Sequence, residues 1–381
     1  MNKITKVVLG AMVIVVVVWG VTTIQKKQKP SNSGQALKIG VLLPLTGDVA
    51  SYGEPGRNVF ELAKEEVNNS GGIKGRRLEF IYEDSKCDGT TAANAAQKLI
   101  NADKVQIIIG GLCSTESLAA VPVATKAKIA MFSAVSTSPK LTGISPYFFR
   151  ISPSDASQGE LDAKTALAKG YKLVAVVQQQ LDYPLGLYLA FDQNMQKLGG
   201  KTIVETFTAG TADFRTILTK LKATNPDALF LDTQDSPTAQ RVFKQLKDLG
   251  WRPKIIINEA IAGDIKALGD YKDILEGGIA AEFSARLDNP KFQHLLQAYQ
   301  QKYGQELPYQ SYGQAEYDAV YLLKDGLTAV GYNGEKFAVW SRTIKSWQGA
   351  SGVITIKPDG DRESGYSPEI VRNGKMEAYN Q

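Results

Sequence analysis

The 381-residue sequence contains one histidine and two cysteines, and this shortage excludes several kinds of site. The cysteines, Cys87 and Cys113, stand far apart, and the histidine, His294, falls in an apolar helical pattern. Zinc sites need three or four cysteine, histidine or carboxylate ligands, commonly at short spacings. We therefore predict no metal site and no cofactor.

Signatures of common enzyme classes are also missing. The sequence has no G-x-S-x-G elbow, no P-loop and no H-E-x-x-H motif. The stretch "LLPLTGDVASYGEPG", which follows the first predicted strand, does not supply the G-x-G-x-x-G of a dinucleotide site. We predict no catalytic residues, and an amidase or related enzyme is a disfavoured alternative.

An excess of charge is absent once the N-terminus is set aside. The formal charge of +5 comes from five lysines before residue 31, and the remaining 39 basic residues equal the 39 acidic ones. A neutral body without a basic patch gives no electrostatic basis for nucleic-acid binding. We therefore expect no nucleic-acid partner.

The lysines flank an uncharged segment, residues 7–24, "VVLGAMVIVVVVWGVTTI". At about 1.5 Å per helical residue, 18 residues just cross the hydrocarbon layer of a bilayer. No small-residue cleavage motif follows closely, which favours an uncleaved membrane anchor, while a removed signal peptide remains the alternative. Residues 1–36 would then be anchor or signal plus linker. In an exported chain, Cys87 and Cys113 most simply form a disulfide.

From Leu37 onward, apolar strand patterns alternate with amphipathic helix patterns. Strands are predicted at "LKIGVLLP", "RLEFIYED" and "VQIIIGG", with helices at "RNVFELAKEEVNNSGG" and "GTTAANAAQKLINA". The alternation restarts near residue 153 with "KLVAVVQ", "KTIVETF", "PDALFLD" and "PKIIIN". This pattern and the chain length predict two α/β units whose parallel sheets are covered by helices.

Small polar residues follow two of the predicted strands. Ser114 comes after "IIIGGLC" at the start of a helix, and "FSAVSTSPKLT" places Ser136 and Thr137 after the next strand. Ser114 could be an N-cap, or its helix start could hold a carboxylate or phosphate. Ligands in open parallel sheets bind beyond the carboxyl ends of the strands. The two loops therefore predict one shared small-molecule site.

Several stretches together carry a family resemblance: "NNSGGIKGRRLEFIYEDSKCDGTTAANAAQKLI", "IIIGGLCSTESLAAVPVA", "FSAVSTSPKLT", "YDAVYLL" and "GVITIKPDGD". They resemble the leucine/isoleucine/valine-binding family, the type I solute-binding proteins of ABC transporters. The resemblance implies the type I periplasmic-binding fold, an α/β fold of two Rossmann-like lobes joined by three hinge crossovers. The lobes would comprise residues 37–152 with 283–361, and residues 153–282 with 362–381. The family disulfide matches Cys87 and Cys113.

The resemblance also implies roles for residues of the first lobe. Ser114 would hold the α-carboxylate of an amino acid through its hydroxyl and N–H. Ser136 and Thr137 would reach the carboxylate and the ammonium. Val135 would contribute its backbone.

In the second lobe, Tyr183 would close over the ligand and Glu259 would accept the α-ammonium, a charge-assisted contact. The alternative for Glu259 is a solvated loop residue. Three positions depart from the family pattern. Tyr52 stands where well-known members have tryptophan, Ser236 where they have tyrosine, and Pro184 where glycine is usual. Tyr52 and Ser236 would line the side-chain pocket.

We expect an extracytoplasmic, monomeric solute-binding protein that captures an amino acid, branched-chain or otherwise apolar, in the cleft between its lobes. It would bind without chemistry and deliver the ligand to an ABC-transporter permease, held at the cytoplasmic membrane by residues 7–24. The alternative is a membrane-anchored amino-acid or amide sensor that acts through a separate signalling partner.

Overall fold

A computed structural model describes residues 34–283, 287–363 and 365–379. The predicted anchor at residues 7–24 lies outside these ranges. Across the described ranges, no helix combines the length and the apolar character needed to cross a bilayer.

The first sheet has five parallel strands in the order β2-β1-β3-β4-β5. The strands are β1 Leu37–Leu43, β2 Leu78–Asp84, β3 Ile107–Ile109, β4 Ala130–Ser133 and β5 Phe148–Arg150. Three helices connect the first four strands: α1 Ala50–Asn69, α2 Gly89–Asn101 and α3 Ser114–Lys126. The strands β1, β3 and β4 are almost wholly buried, which explains their continuous apolar sequences.

The second unit repeats the alternation. Its strands are β6 Leu173–Gln179, β7 Lys201–Phe207, β8 Ala228–Asp232, β9 Lys254–Ile257 and β10 Ile279–Glu282. Its helices are α4 Asp155–Ala168, α5 Asp182–Lys197, α6 Arg215–Ala223, α7 Ser236–Asp248, α8 Glu259–Ala262, α9 Ile265–Asp270 and α10 Lys272–Leu275.

The chain then returns to the first sheet before it ends on the second. Helices α11 Pro290–Tyr303, α12 Gln310–Val330 and α13 Gly334–Ser341 precede a small hairpin of β11 Trp347–Gly349 and β12 Gly352–Ile354. Strand β13 Ser367–Arg372 pairs antiparallel with β10, and β14 Lys375–Ala378 pairs antiparallel with β13. The second sheet therefore has the order β14-β13-β10-β9-β8-β6-β7. The prediction of two α/β units with parallel sheets is confirmed.

Several helices begin where a side chain caps the first turn. The cap oxygen accepts a backbone N–H that has no partner within the helix. The capping residues are Asp88 for α2, Ser154 for α4, Asp235 for α7 and Asn289 for α11. These caps mark the points where polar, turn-like stretches of the sequence pass into helices.

Two of the three connections between the sheets are tied to each other. The buried Arg150 side chain ends β5, and its Nε lies 2.7 Å from Asp361 Oδ1 on the third connection. On that same connection, the Arg362 guanidinium donates to the Ile151 carbonyl at 3.0 Å, within the first connection. Arg362 also bonds Ser351 Oγ at 2.9 Å. The first and third connections thus form one hydrogen-bonded strap.

Candidate functional site

A cavity lies between the two sheets, beyond the carboxyl ends of their strands. Both halves of the molecule supply its lining, which consists of Tyr52, Leu112, Ser114, Val135, Thr137, Tyr183, Gln234, Glu259 and Tyr312. Six of the eight predicted binding residues are therefore brought together in one place.

Ser114 is the first residue of α3, and Cys113 is the N-cap, so the alternative of Ser114 as the N-cap is wrong by one residue. The Ser114 side chain is buried and its Oγ accepts the Ser138 N–H at 3.1 Å. This bond leaves the Ser114 hydroxyl proton available for a ligand oxygen. Backbone N–H groups in the first turn of α3 lack acceptors within the helix. Together these donors suit a carboxylate.

The loop after β4 places Val135 and Thr137 on the cavity and Ser136 behind it. The Ser136 hydroxyl donates to the Gly111 carbonyl at 2.8 Å and lies 2.7 Å from Ser117 Oγ. It therefore joins the two polar loops to each other. The carbonyl of Thr137 accepts the N–H of Asp155 at 2.9 Å, which fixes this loop against the start of α4.

Glu259 starts the short helix α8 and is 2% exposed, so the alternative of a solvated loop residue is wrong. Burial raises the pKa of the Glu259 carboxyl well above its ordinary value, and the nearby Asp155 raises it further. The Tyr366 hydroxyl donates to Glu259 Oε2 at 3.0 Å and lowers the pKa. Arg150 also lowers it, but the Arg150 guanidinium is already engaged with Asp361. The carboxylate is thus suited to a cationic partner.

Tyr183, in the first turn of α5, faces the same cavity and is buried. Its hydroxyl has no hydrogen-bond partner among the residues that the structure describes. Burial raises the pKa of the Tyr183 phenol well above its ordinary value, with Glu259 adding to the rise. The phenol is therefore neutral and can donate a hydrogen bond.

Tyr52 connects the two halves across the cavity. Its ring packs on Tyr309, with centroids 4.1 Å apart. Its hydroxyl accepts the Ser236 N–H at 2.7 Å and donates to the Ala260 carbonyl at 3.1 Å. Ser236 thus meets Tyr52 through its backbone and is not among the lining side chains.

A second contact across the cleft lies at its rim. Asp182, at the start of α5, accepts the Thr115 hydroxyl at 3.1 Å and pairs with Lys140 at 2.9 Å. Thr115 and Lys140 belong to the two polar loops of the first sheet. The two halves of the protein therefore touch at two separate places, which describes a closed cleft.

The predicted disulfide between Cys87 and Cys113 is confirmed, with the two Cα atoms 5.5 Å apart. The Glu116 carboxylate accepts the backbone N–H of Cys87 at 2.8 Å and that of Cys113 at 2.9 Å. A Cβ on Gly111 would lie 2.4 Å from Glu116 Oε2, so this position requires glycine. Burial raises the pKa of Glu116 to about 7.

Within the described ranges, the one close group of metal-ligand residue types is Cys87, Cys113 and Glu116. The disulfide removes both thiolates, which are the metal-binding form of cysteine. This group therefore does not fit a metal ion.

Sequence reasoning missed Leu112, Gln234, Tyr312 and Tyr366. Gln234 lies two residues after β8, so the rule that sites follow strand ends could have found it. Tyr312 and Tyr366 carried no such signal, because Tyr312 lies in the first turn of α12 and Tyr366 in a connection between the sheets.

A family model described as "Periplasmic binding protein" matches residues 36–366. The chain belongs to the periplasmic binding protein family. This periplasmic binding protein is 27% identical, over 335 residues, to the "Leucine-, isoleucine-, valine-, threonine-, and alanine-binding protein" of Pseudomonas aeruginosa. The match covers 87% of this chain and 88% of the relative.

Two solved structures show the same architecture. A leucine binding protein from Thermotoga maritima gives a TM-score of 0.83 at 29% identity, over 91% of this chain and 98% of its own. The branched-chain amino acid transporter substrate binding protein of Streptococcus pneumoniae, in complex with isoleucine, gives 0.81 at 25% identity, over 90% and 98%. The type I periplasmic-binding fold is confirmed. The family indicates an extracytoplasmic location, and these relatives are binding proteins rather than enzymes.

Proposed function

We propose that this periplasmic binding protein captures a zwitterionic α-amino acid in the cleft and delivers it to the permease of an ABC transporter. The α3 start and Ser114 would hold the carboxylate. Glu259 and Thr137 would hold the ammonium, and Tyr183 would cover the ligand. The relatives bind small and branched-chain amino acids by their names, so these are the first ligands to test.

The buried Glu259 is the observation that carries this proposal. A carboxylate with a raised pKa lacks charge compensation, and an ammonium ion would supply it. The opposite end of the cavity offers hydrogen-bond donors at Ser114 and the first turn of α3. A ligand with a cationic and an anionic group on the same carbon atom matches both ends.

Calorimetric titration with the twenty amino acids and their α-keto acid counterparts tests the proposal. We expect at least one amino acid to bind, and its keto acid, which lacks the ammonium, to bind at least about 30-fold more weakly. Glu259→Gln should cause a similar loss, because removing one partner of a buried charge pair costs about 2 kcal/mol or more.

Glu54→Gln is the matched control, since Glu54 is an exposed glutamate on α1, and it should leave the affinity unchanged within twofold. Binding of the keto acid as tightly as the amino acid would show that Glu259 does not receive an ammonium.

We also propose the lobe boundaries 37–152 with 283–361 and 153–282 with 362–381, a monomeric state, and membrane attachment through residues 7–24. The membership of the strands in the two sheets supports the boundaries. The 18 uncharged residues flanked by lysines support the attachment. Recovery of the full-length protein in the membrane fraction, and its release when residues 1–30 are deleted, tests the membrane attachment.

Binding of the protein to a permease rather than to a signalling protein would distinguish a transport function from a sensing function.

A further inference from the structure

Gln234 occupies a special position in the cavity. It follows β8 by two residues, lines the cavity, and is 6% exposed. Its backbone N–H donates to Gln179 Oε1 at 2.9 Å, which fixes the loop at this point. This bond fixes the Gln234 backbone at the wall of the cavity.

The Gln234 amide has little to bond with in the protein. Its Nε2 lies 3.8 Å from Cys113 Sγ, and a disulfide sulfur is a weak acceptor. Its Oε1 is buried without a hydrogen-bond partner among the described residues. Turning the amide by 180° would leave one polar atom on the sulfur and the other without a partner. A ligand group that both donates and accepts would satisfy either arrangement.

The groups assigned to the ligand's carboxylate and ammonium do not include Gln234. Its polar atoms are left for the ligand's side chain, in a cavity that Leu112 and Tyr52 also line. The nine lining residues include no lysine, arginine or histidine, so nothing in the described lining would balance an anionic side chain.

We propose that Gln234 selects an amino acid whose small, neutral side chain carries a hydroxyl or carboxamide group. This inference rests on the proposed amino-acid site, and it replaces the expected apolar side chain by one that carries a polar group. A purely apolar side chain would bury the Gln234 amide without a partner. A polar side chain of the same shape satisfies the amide, and sites built in this way discriminate strongly against the apolar analogue.

Two ligand pairs of matched shape test this inference. Threonine and valine differ by a hydroxyl in place of a methyl group, and asparagine and leucine differ by a carboxamide in place of an isopropyl group. With the full-length protein, we expect threonine, asparagine or both to bind at least tenfold more tightly than the apolar partner. Gln234→Met should reduce that preference to threefold or less, chiefly by strengthening the binding of the apolar ligand.

Gln180→Met is the control, because Gln180 is an exposed glutamine one residue after β6, and it should leave the preference unchanged. Valine and leucine binding as tightly as their polar partners in the wild type would overturn the inference, even if Gln234→Met fails to fold. So would a preference that persists in a folded Gln234→Met variant. If no amino acid binds at all, the proposed function itself fails.

Discussion

At the scale of single residues, the cleft is held closed by the Tyr52 hydroxyl. One oxygen accepts the Ser236 N–H and donates to the Ala260 carbonyl, and both partners belong to the opposite sheet. A side chain of the first lobe therefore reaches the backbone of the second at two points.

We expect Tyr52→Phe to weaken ligand binding at least about 30-fold and to speed dissociation, since two unpaired groups at about 1 kcal/mol each already cost about 2 kcal/mol. In the closed form the variant leaves a buried N–H and a buried carbonyl unpaired, which costs about 1–3 kcal/mol per group, whereas water solvates both in the open form. Stopped-flow dissociation measures the effect. Tyr147→Phe, which loses a hydroxyl bonded to Glu335 within one lobe, should leave the rate unchanged. An equal rate in both variants would contradict the role of Tyr52.

Site residues were predictable where they follow a strand or a family motif. Ser114, Val135 and Thr137 follow β3 and β4, and the cavity contains all three. Ser136 lies among them in sequence but faces the backbone of the neighbouring loop, because alternate residues of an extended segment point to opposite sides. The sequence alone does not show which side a ligand occupies.

At the scale of elements, strands were the easiest features to predict and helix starts the hardest. Each buried strand is a short apolar run bounded by polar residues. Helix α1 begins at Ala50, earlier than the sequence pattern indicates, because Pro55 lies within it. Proline removes one N–H near the helix start, where the bond lost is to Ser51, and the rest of the helix continues. Helix α13 and the β13–β14 hairpin have weak patterns and were missed.

The loop from Cys87 to Cys113 is held by the disulfide and by Glu116. We expect the double substitution Cys87→Ser with Cys113→Ser to lower the free energy of unfolding by about 3 kcal/mol, because a closed loop restricts the unfolded chain. Ligand affinity should change less than threefold, since Glu116 still binds both backbone N–H groups. Guanidinium denaturation and calorimetry measure the two effects.

Wild-type protein treated with a reducing agent should behave like this double variant. A tenfold loss of affinity in either sample would show instead that the disulfide itself positions Ser114.

At the scale of the whole molecule, many carboxyl groups are buried. Burial raises the pKa of Asp318 to about 6, of Asp155 and Glu116 to about 7, and of Glu316 to about 8. Between the ordinary values of these groups and the raised ones, the native state binds more protons than the unfolded state. Their contribution to stability is therefore present at low pH and is lost as pH rises.

We expect the ligand-free protein to be most stable near about pH 5 and to lose stability steadily up to about pH 8. Below about pH 4 stability should fall as well, because the pKa values of the exposed Asp88 and Asp213 lie below their ordinary range. Thermal unfolding at a series of pH values measures this curve. Glu316→Gln should reduce the loss of stability toward pH 8. Stability that rises between pH 5 and pH 8 would contradict the raised pKa values of the buried carboxyl groups.

The strap that joins the first and third connections also determines what kind of motion the lobes can make. Three independent connections would let one lobe twist, slide and bend relative to the other. The bonds from Arg150 to Asp361 and from Arg362 to the Ile151 carbonyl join two of these connections into one stiff unit. The lobes should then rotate mainly about a single hinge axis, so that one angle describes most of their relative motion. We therefore expect the opening of the cleft to follow single-exponential kinetics. The two lobes should not slide past each other as they rotate.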